Sequence, residues 1–322
     1  MKYRMDLLSK YKKELMGLAA LSILFSHAKR FGIVYSSLIT RIQGYGMWAV
    51  NLFIILSGTG MYFSLKKGAE GFYKRRMIRI LPSYYLIAMP AYFILEVLLR
   101  NDTPQSFLSY LFFIPYWYVL MTVLFYIVVP LHDWLVKKFG WIVNLIAIIA
   151  FMPLGYLVKL YWDEMAGMIV ERFSTFILGY WLGPVIEEKK EVPIYITVLM
   201  IASIWMKTVL HVSSLHYAVN ATFTLAGLAI GMLVSWFLDK IHVSAGTNFL
   251  AFLGEFTMEI YMMNVTMYWV MQRLEPLWQG KIDINLIYWI VCVVIAVLIA
   301  WAVHVLAGKI IAKLTHAENS KA

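Results

Sequence analysis

The chain has 322 residues, of which 62% are hydrophobic and 14% charged, and its formal net charge is +10. Soluble domains carry roughly 45–50% apolar residues, so a mean hydropathy of +0.73 excludes a fold built for water alone. The basic excess does not point to nucleic acid, because the lysines and arginines stand mostly at the ends of apolar runs instead of forming one patch.

The apolar runs are about 17 to 25 residues long, the length that carries a helix across a hydrocarbon core of about 30 Å. Val291 to Val303 is apolar at nearly every position. That pattern excludes the alternation of a membrane β-barrel and leaves helices, which satisfy their backbone groups within the span. In chain order the runs predict ten spans, near residues 14–30, 46–65, 80–99, 116–136, 141–158, 168–186, 192–210, 217–238, 247–271 and 284–308. The expected fold class is all-α, a polytopic membrane helix bundle forming one domain over residues 1–322.

The first run, Leu15 to Ala28, ends in Ser26-His27-Ala28, a weak likeness to a signal-peptide cleavage site. Lys29 and Arg30 follow at once, so a retained first helix is expected. With the N-terminus inside, 19 of the 28 basic residues fall on the inner side and 9 on the outer. By the positive-inside rule both termini are then cytoplasmic, in a multi-pass cytoplasmic (inner or plasma) membrane protein. Tyr116-Trp117-Tyr118, Tyr161-Trp162 and Tyr288-Trp289 lie near span ends, where amphipathic rings favour the headgroup region.

His27 stands at the outer end of the first span. An ionisable group near lipid is costly and normally faces a cavity or a partner. An imidazole with a pKa near 6.5 can accept a hydroxyl proton at neutral pH, as acyl transfer to an alcohol requires. The bland reading is an interfacial histidine that bonds a neighbour.

The third span is preceded by Tyr73-Lys74-Arg75-Arg76-Met77-Ile78-Arg79-Ile80-Leu81-Pro82, in which Arg75, Arg76 and Arg79 share a helical face by i,i+3 and i,i+4 spacing. Guanidinium forks suit phosphate oxygens, and an acyl-CoA carries several. The alternative is topological charge paired with anionic lipid headgroups, the reading given to Lys66, Lys67 and Lys74.

Glu96 lies in the third span, and Glu255 and Glu259 share a face of the ninth, where buried carboxylates can orient a base or hold a polar acceptor. His132 and Asp133 are adjacent and point apart on a helix, while His304 reads as a packing or snorkelling residue. His211 and His216 have no metal-site spacing, and no Cys/His cluster supports zinc. The single cysteine, Cys292, excludes an intrachain disulfide. No metal and no tightly bound cofactor are expected.

Several blocks, in order, resemble the acyltransferase 3 family of membrane acyltransferases: Glu14-Leu15-Met16-Gly17-Leu18-Ala19 leading to His27; Trp48 through Asn51 to Gly58; the arginine block ending in Pro82; Trp117-Tyr118-Val119 through Tyr126 and Pro130-Leu131; Arg172-Phe173 with Gly179-Tyr180 and Gly183; and Leu253-Gly254-Glu255 with Glu259-Ile260-Tyr261. The resemblance implies that His27 is the essential histidine acting on the acceptor hydroxyl, and that Arg76 and Arg79 match paired arginines that bind the acyl donor. Met16 stands where many members have an arginine, Asn51 where an acid is common and Asn264 where a histidine often follows. Such a divergent branch could use Lys13 or Arg30 instead.

The function expected is transfer of a short acyl group, acetyl most often in the family, from acetyl-CoA or another acyl-CoA to a hydroxyl of an envelope glycan or lipid-linked sugar. Membrane lipids are the remaining partner, and no nucleic acid is expected. A secondary transporter or flippase is the alternative, although the chain shows no internal repeat and no pair of matching interrupted spans. A noncatalytic assembly partner derived from an acyltransferase is a third reading, which Met16 favours.

Overall fold

The computed structural model describes residues 2–31, 37–44, 46–68, 71–99, 105–198, 200–202, 216–241, 245–278 and 285–319. It is helical almost throughout. The helices are α1 Leu7–Lys10, α2 Lys12–His27, α3 Ser37–Gly44, α4 Met47–Lys66, α5 Phe72–Tyr92, α6 Phe107–Leu111, α7 Trp117–Phe139, α8 Ile142–Tyr161, α9 Glu164–Glu187, α10 His216–Ile241, α11 Ala245–Glu255, α12 Thr257–Trp278 and α13 Asn285–Asn319. Many of them are rich in isoleucine and valine, which favour strands in water. In lipid the same residues are helical, because only a helix bonds its own backbone groups within a span. Among the described residues, six segments are long and apolar enough to cross a membrane: Ile42–Lys66, Phe72–Leu98, Trp117–Phe139, Ile142–Tyr161, Asn220–Ile241 and Leu286–Thr315. Their outer surfaces fit that solvent. In α13, Leu298 is 58% exposed and Trp301 46%, as hydrocarbon-facing side chains would be.

The chain divides into two compact units, Met1–Ile23 with Tyr45–Glu70 and Leu124–Glu255, and Leu24–Gly44 with Gly71–Val123 and Phe256–Ala322. In the first unit α4 packs between α9 and α10, and α8 packs on α9. The approach is close because glycines line it. A Cβ built on Gly179 would lie 2.2 Å from the Ile55 carbonyl oxygen, and one on Gly58 2.2 Å from that of Phe176. Gly227 of α10 faces the Trp48 carbonyl of α4 in the same way, and Gly231 faces the Leu52 side chain. The pairs 179/183 and 227/231 have the small-xxx-small spacing that lets membrane helices associate through backbone contact. A two-stranded antiparallel pair, β1 Lys2–Arg4 with β2 Glu191–Pro193, ties the N-terminal segment to the residues after α9. Buried Tyr3 fixes it by a 2.7 Å hydrogen bond to Ser235. Nothing in the apolar periodicity announces this strand pair.

In the second unit α12 and α13 pack together, and α5 packs on both. α5 carries Pro82 and Pro90 and runs straight into a π-helical turn, Phe93–Leu98. Proline supplies no amide hydrogen and crowds the preceding turn. A widened π turn nearby is a common accommodation, and such turns often occur at functional sites.

Two expectations change here. The ninth span is two helices, broken at Phe256, so Glu255 ends one and Glu259 begins the other instead of both standing on a single helix. The Phe256 carbonyl already accepts the Ile260 amide at 3.0 Å as α12 begins, and its side chain, 1% exposed, is buried with its ring 5.7 Å from the His304 ring. Arg172, one of the nine basic residues that the ten-span reading puts on the outer side, is buried within α9. Of the seventh span, residues 203–210 lie outside the described residues, as do His211, Arg100, Lys207 and Lys281.

Candidate functional site

In the second unit, one helix gathers most of the polar side chains of interest. α12 presents Glu259 in its first turn, then Asn264, and then Trp269, Gln272 and Arg273 near its other end. At 1.5 Å per residue these positions span about 21 Å.

His27 closes α2, with a 3-10 turn, Ala28–Phe31, directly after it. Its ring is half-buried, and its Nδ1 is hydrogen-bonded to the amide of Asn264, which is itself buried. An asparagine amide can serve either tautomer of a neutral imidazole. Nδ2 donates to a bare Nδ1, whereas Oδ1 accepts from a protonated one. The structure sets Nδ2 at Nδ1; with the amide turned over so that Oδ1 accepts from Nδ1–H, Nε2 holds the lone pair and is the basic atom. When Nε2 takes a proton, the same Oδ1 still accepts from Nδ1–H. Asn264 therefore orients the ring without bringing a formal charge to it.

The arginines occupy the first two turns of α5. Gly71 precedes them at φ 65°, a left-handed conformation that glycine adopts without strain. Arg75 and Arg79 are exposed, while Arg76 is half-buried with its guanidinium carbon 5.8 Å from the Phe72 ring centre. The first turn of α5 holds no acidic residue. A helix N-terminus carries partial positive charge, and such ends bind phosphates readily.

One turn after Arg79, the Ser83 hydroxyl donates to Glu259 Oε1 at 2.6 Å, and His304 Nδ1 lies 3.3 Å from the same oxygen. His304 is thus a partner of a buried carboxylate, not merely a packing or snorkelling residue. Through this cluster α5 is tied to α12, whose Asn264 reaches His27. The arginines and His27 are linked in this way by Ser83, Glu259 and Asn264.

Glu96 sits in the π turn, its side chain only 4% exposed. Its two oxygens accept the Tyr110 hydroxyl at 3.1 Å and the Gln105 backbone N–H at 3.3 Å, and Arg273 Nη2 stands 3.8 Å away. Burial and the neighbouring carboxylate push the Tyr110 phenol well above its ordinary pKa, so it remains a hydrogen-bond donor. These groups line a cavity of about 360 Å3 that includes neither His27 nor the three arginines. Glu255, in the first unit, pairs with Lys13 at 2.6 Å, and both side chains are largely exposed. Pairs of that kind contribute little.

The first unit holds a polar centre that sequence reasoning missed. Arg172 Nη1 donates to Oδ1 of both Asn51 and Asn220. The Asn51 amide donates onward to Asn220 Oδ1 at 3.3 Å and Thr224 at 3.2 Å, and Thr224 bonds Thr175 at 2.7 Å. The signal was present as three isolated polar residues in apolar runs, which in a membrane protein seek one another. His132 and Asp133 diverge as their adjacency requires, to Asn144 and Tyr180. Among the described residues no group of three His, Cys, Asp or Glu is placed to hold a metal ion.

A comparison with protein-family models matches residues 15–305 to the acyltransferase domain of the acyltransferase 3 type, a region that runs through both units. No curated protein and no solved structure matches the chain.

Proposed function

The chain belongs to the acyltransferase 3 family and is a multi-pass membrane acyltransferase; on that premise we propose that it transfers a short acyl group, acetyl in the first instance, from acyl-CoA to a hydroxyl of an envelope glycan or lipid-linked sugar. We take the two units as one acyltransferase domain of ten spans in the cytoplasmic membrane, with both termini cytoplasmic. The observation that carries the reading is the half-buried imidazole of His27 held by buried Asn264, in a unit whose α5 opens with three arginines.

In this reading the phosphates of the donor sit on Arg75, Arg76 and Arg79 at the start of α5, joined by the partial charge of the helix end. His27 Nε2 takes the proton of the acceptor hydroxyl as its oxygen attacks the thioester carbonyl. The carbon–sulfur bond then breaks, and the CoA sulfur leaves with a proton returned by the imidazolium. Asn264 keeps the ring in place through both transfers. The acyl ester formed carries the whole acyl group, so no oxidant or metal is needed for balance.

The arginines supply the test. Membranes containing the protein are incubated with radiolabelled acetyl-CoA over a range of concentrations. A hydrogen bond to a charged group contributes about 1.5–3 kcal/mol, so Arg76→Gln and Arg79→Gln should each raise the KM for acetyl-CoA by about ten-fold or more and leave the rate at saturation little changed. An unaltered KM in both variants would remove the arginines from the donor site.

A further inference from the structure

The mechanism above leaves Glu96 unused, together with the polar residues that continue along α12 beyond Asn264. They meet in the cavity lined by Glu96, Gln105, Tyr110, Trp269, Gln272 and Arg273. Its volume of about 360 Å3 lies near the lower end of small-ligand pockets, about 300–1,000 Å3. The walls are unlike those of an acyl-chain pocket, since five of the six side chains end in an oxygen or an amide or guanidinium nitrogen and the sixth is an indole. Nor do they suit the phosphates of a nucleotide, which would meet the buried Glu96 carboxylate.

What remains unsatisfied describes the ligand. Each Glu96 oxygen takes one hydrogen bond from the protein, and a carboxylate has about four lone-pair sites, so further O–H donors are accommodated. Arg273 Nη1 reaches the Trp269 carbonyl only at 3.4 Å, and a guanidinium has five N–H donors, so others remain for a ligand. The Gln272 amide nitrogen donates to Tyr268 at 2.7 Å, which leaves its carbonyl as an acceptor. Trp269, set beside the Tyr116 ring at 5.6 Å, offers a flat apolar surface to C–H groups. Glu96 and Arg273 balance each other in charge. A carboxylate for hydroxyl hydrogens, donors for hydroxyl oxygens, an aromatic face and no net charge together fit a neutral polyol of ring shape.

The cavity is also in register with His27. Asn264, Tyr268 and Gln272 stand at i, i+4 and i+8 on α12, so they follow one face and cover about 12 Å. We propose that this cavity is an acceptor subsite that binds a neutral sugar residue of the glycan, remote from the hydroxyl that reacts at His27. The inference rests on the glycan-acylating reading and assigns the acceptor a place. Binding of a remote sugar there orients the reacting hydroxyl and sets the acceptor's KM.

The test measures glycan binding without acetyl-CoA. Oligosaccharides released by mild acid from the envelope of the producing cells are reduced with tritiated borohydride and split by ion exchange into neutral and acidic fractions. Each is equilibrated with the full chain in detergent. The wild type retains neutral label, Trp269→Ala and Gln272→Ala each weaken retention at least ten-fold, His27→Ala retains it fully, and excess acetyl-CoA displaces none. Gln272 is exposed, so its alanine variant keeps the fold, which a melting curve checks. The proposal is overturned if the wild type retains no neutral label, if both cavity variants bind as wild type does, or if acetyl-CoA competes. Loss of the acylation reading looks different: label is retained, yet no acetyl group is transferred by the wild type.

Discussion

His27→Ala loses about 10²–10⁴-fold of acetyl transfer while the protein inserts, folds and binds donor as before. That range is what a positioned general base contributes, and His27 is the imidazole that Asn264 orients. The ring is half-buried at the end of α2, so its removal takes away no large part of the core. The KM for acetyl-CoA therefore stays near the wild-type value while kcat falls, the split expected when a group acts in the transition state and not in donor binding. Single-turnover transfer in native membranes, with detergent melting as the folding control, checks both halves. A folded His27→Ala protein with full activity would take the base role away from this residue.

The second large effect is on stability and concerns the Arg172 centre. A buried guanidinium held by neutral oxygens depends on each of them, and leaving a charged donor without its acceptor costs about 1–3 kcal/mol or more. Asn51→Leu removes one of the two oxygens that Nη1 uses and should lower the melting temperature clearly. Asn51→Asp should hold or raise it, because a carboxylate returns the oxygen and pairs the charge. Removing both partners is predicted to be milder than the sum of the parts: Asn51→Leu with Arg172→Met leaves no stranded cation, and apolar replacement of a buried polar pair is often neutral. Strict additivity of the two single changes would show that Asn51 and Arg172 do not interact.

The spans themselves were legible because lipid demands long apolar runs, and α4, α7, α8 and α13 begin and end within a few residues of the expectation except where α13 runs on to Asn319. The start of α5 at Phe72 rather than near residue 80 could also be inferred, since Arg75, Arg76 and Arg79 already had helical spacing. The break at Phe256 could not. Gly254 stands two residues before it but lies within α11 against the Lys13 backbone, no proline marks it, and it depends on where a phenylalanine ring is buried. Arg172 was misread for a similar reason: a charge between apolar residues looks the same whether it faces headgroups or two neutral side chains drawn from α4 and α10. His27 stood out through the cost of an imidazole near lipid and through its place in a family-like block. Asn264 was noted where a histidine often follows, but its pairing with His27, 237 residues away, was not legible. The cavity joins residues 96–110 to 269–273, a meeting that only the packing of the second unit creates.

The central claim is that an acyl group passes from a CoA thioester to a sugar hydroxyl. Inside-out vesicles of the producing cells, given acetyl-CoA labelled in the acetyl group, test it most directly. Label is expected in an envelope glycan or lipid-linked sugar, released as acetate by mild alkali as an ester must be, in step with free CoA, and missing from vesicles that lack the protein. Vesicles that contain the folded protein and leave the glycan unlabelled, or that move a sugar across the membrane without consuming acetyl-CoA, would contradict it.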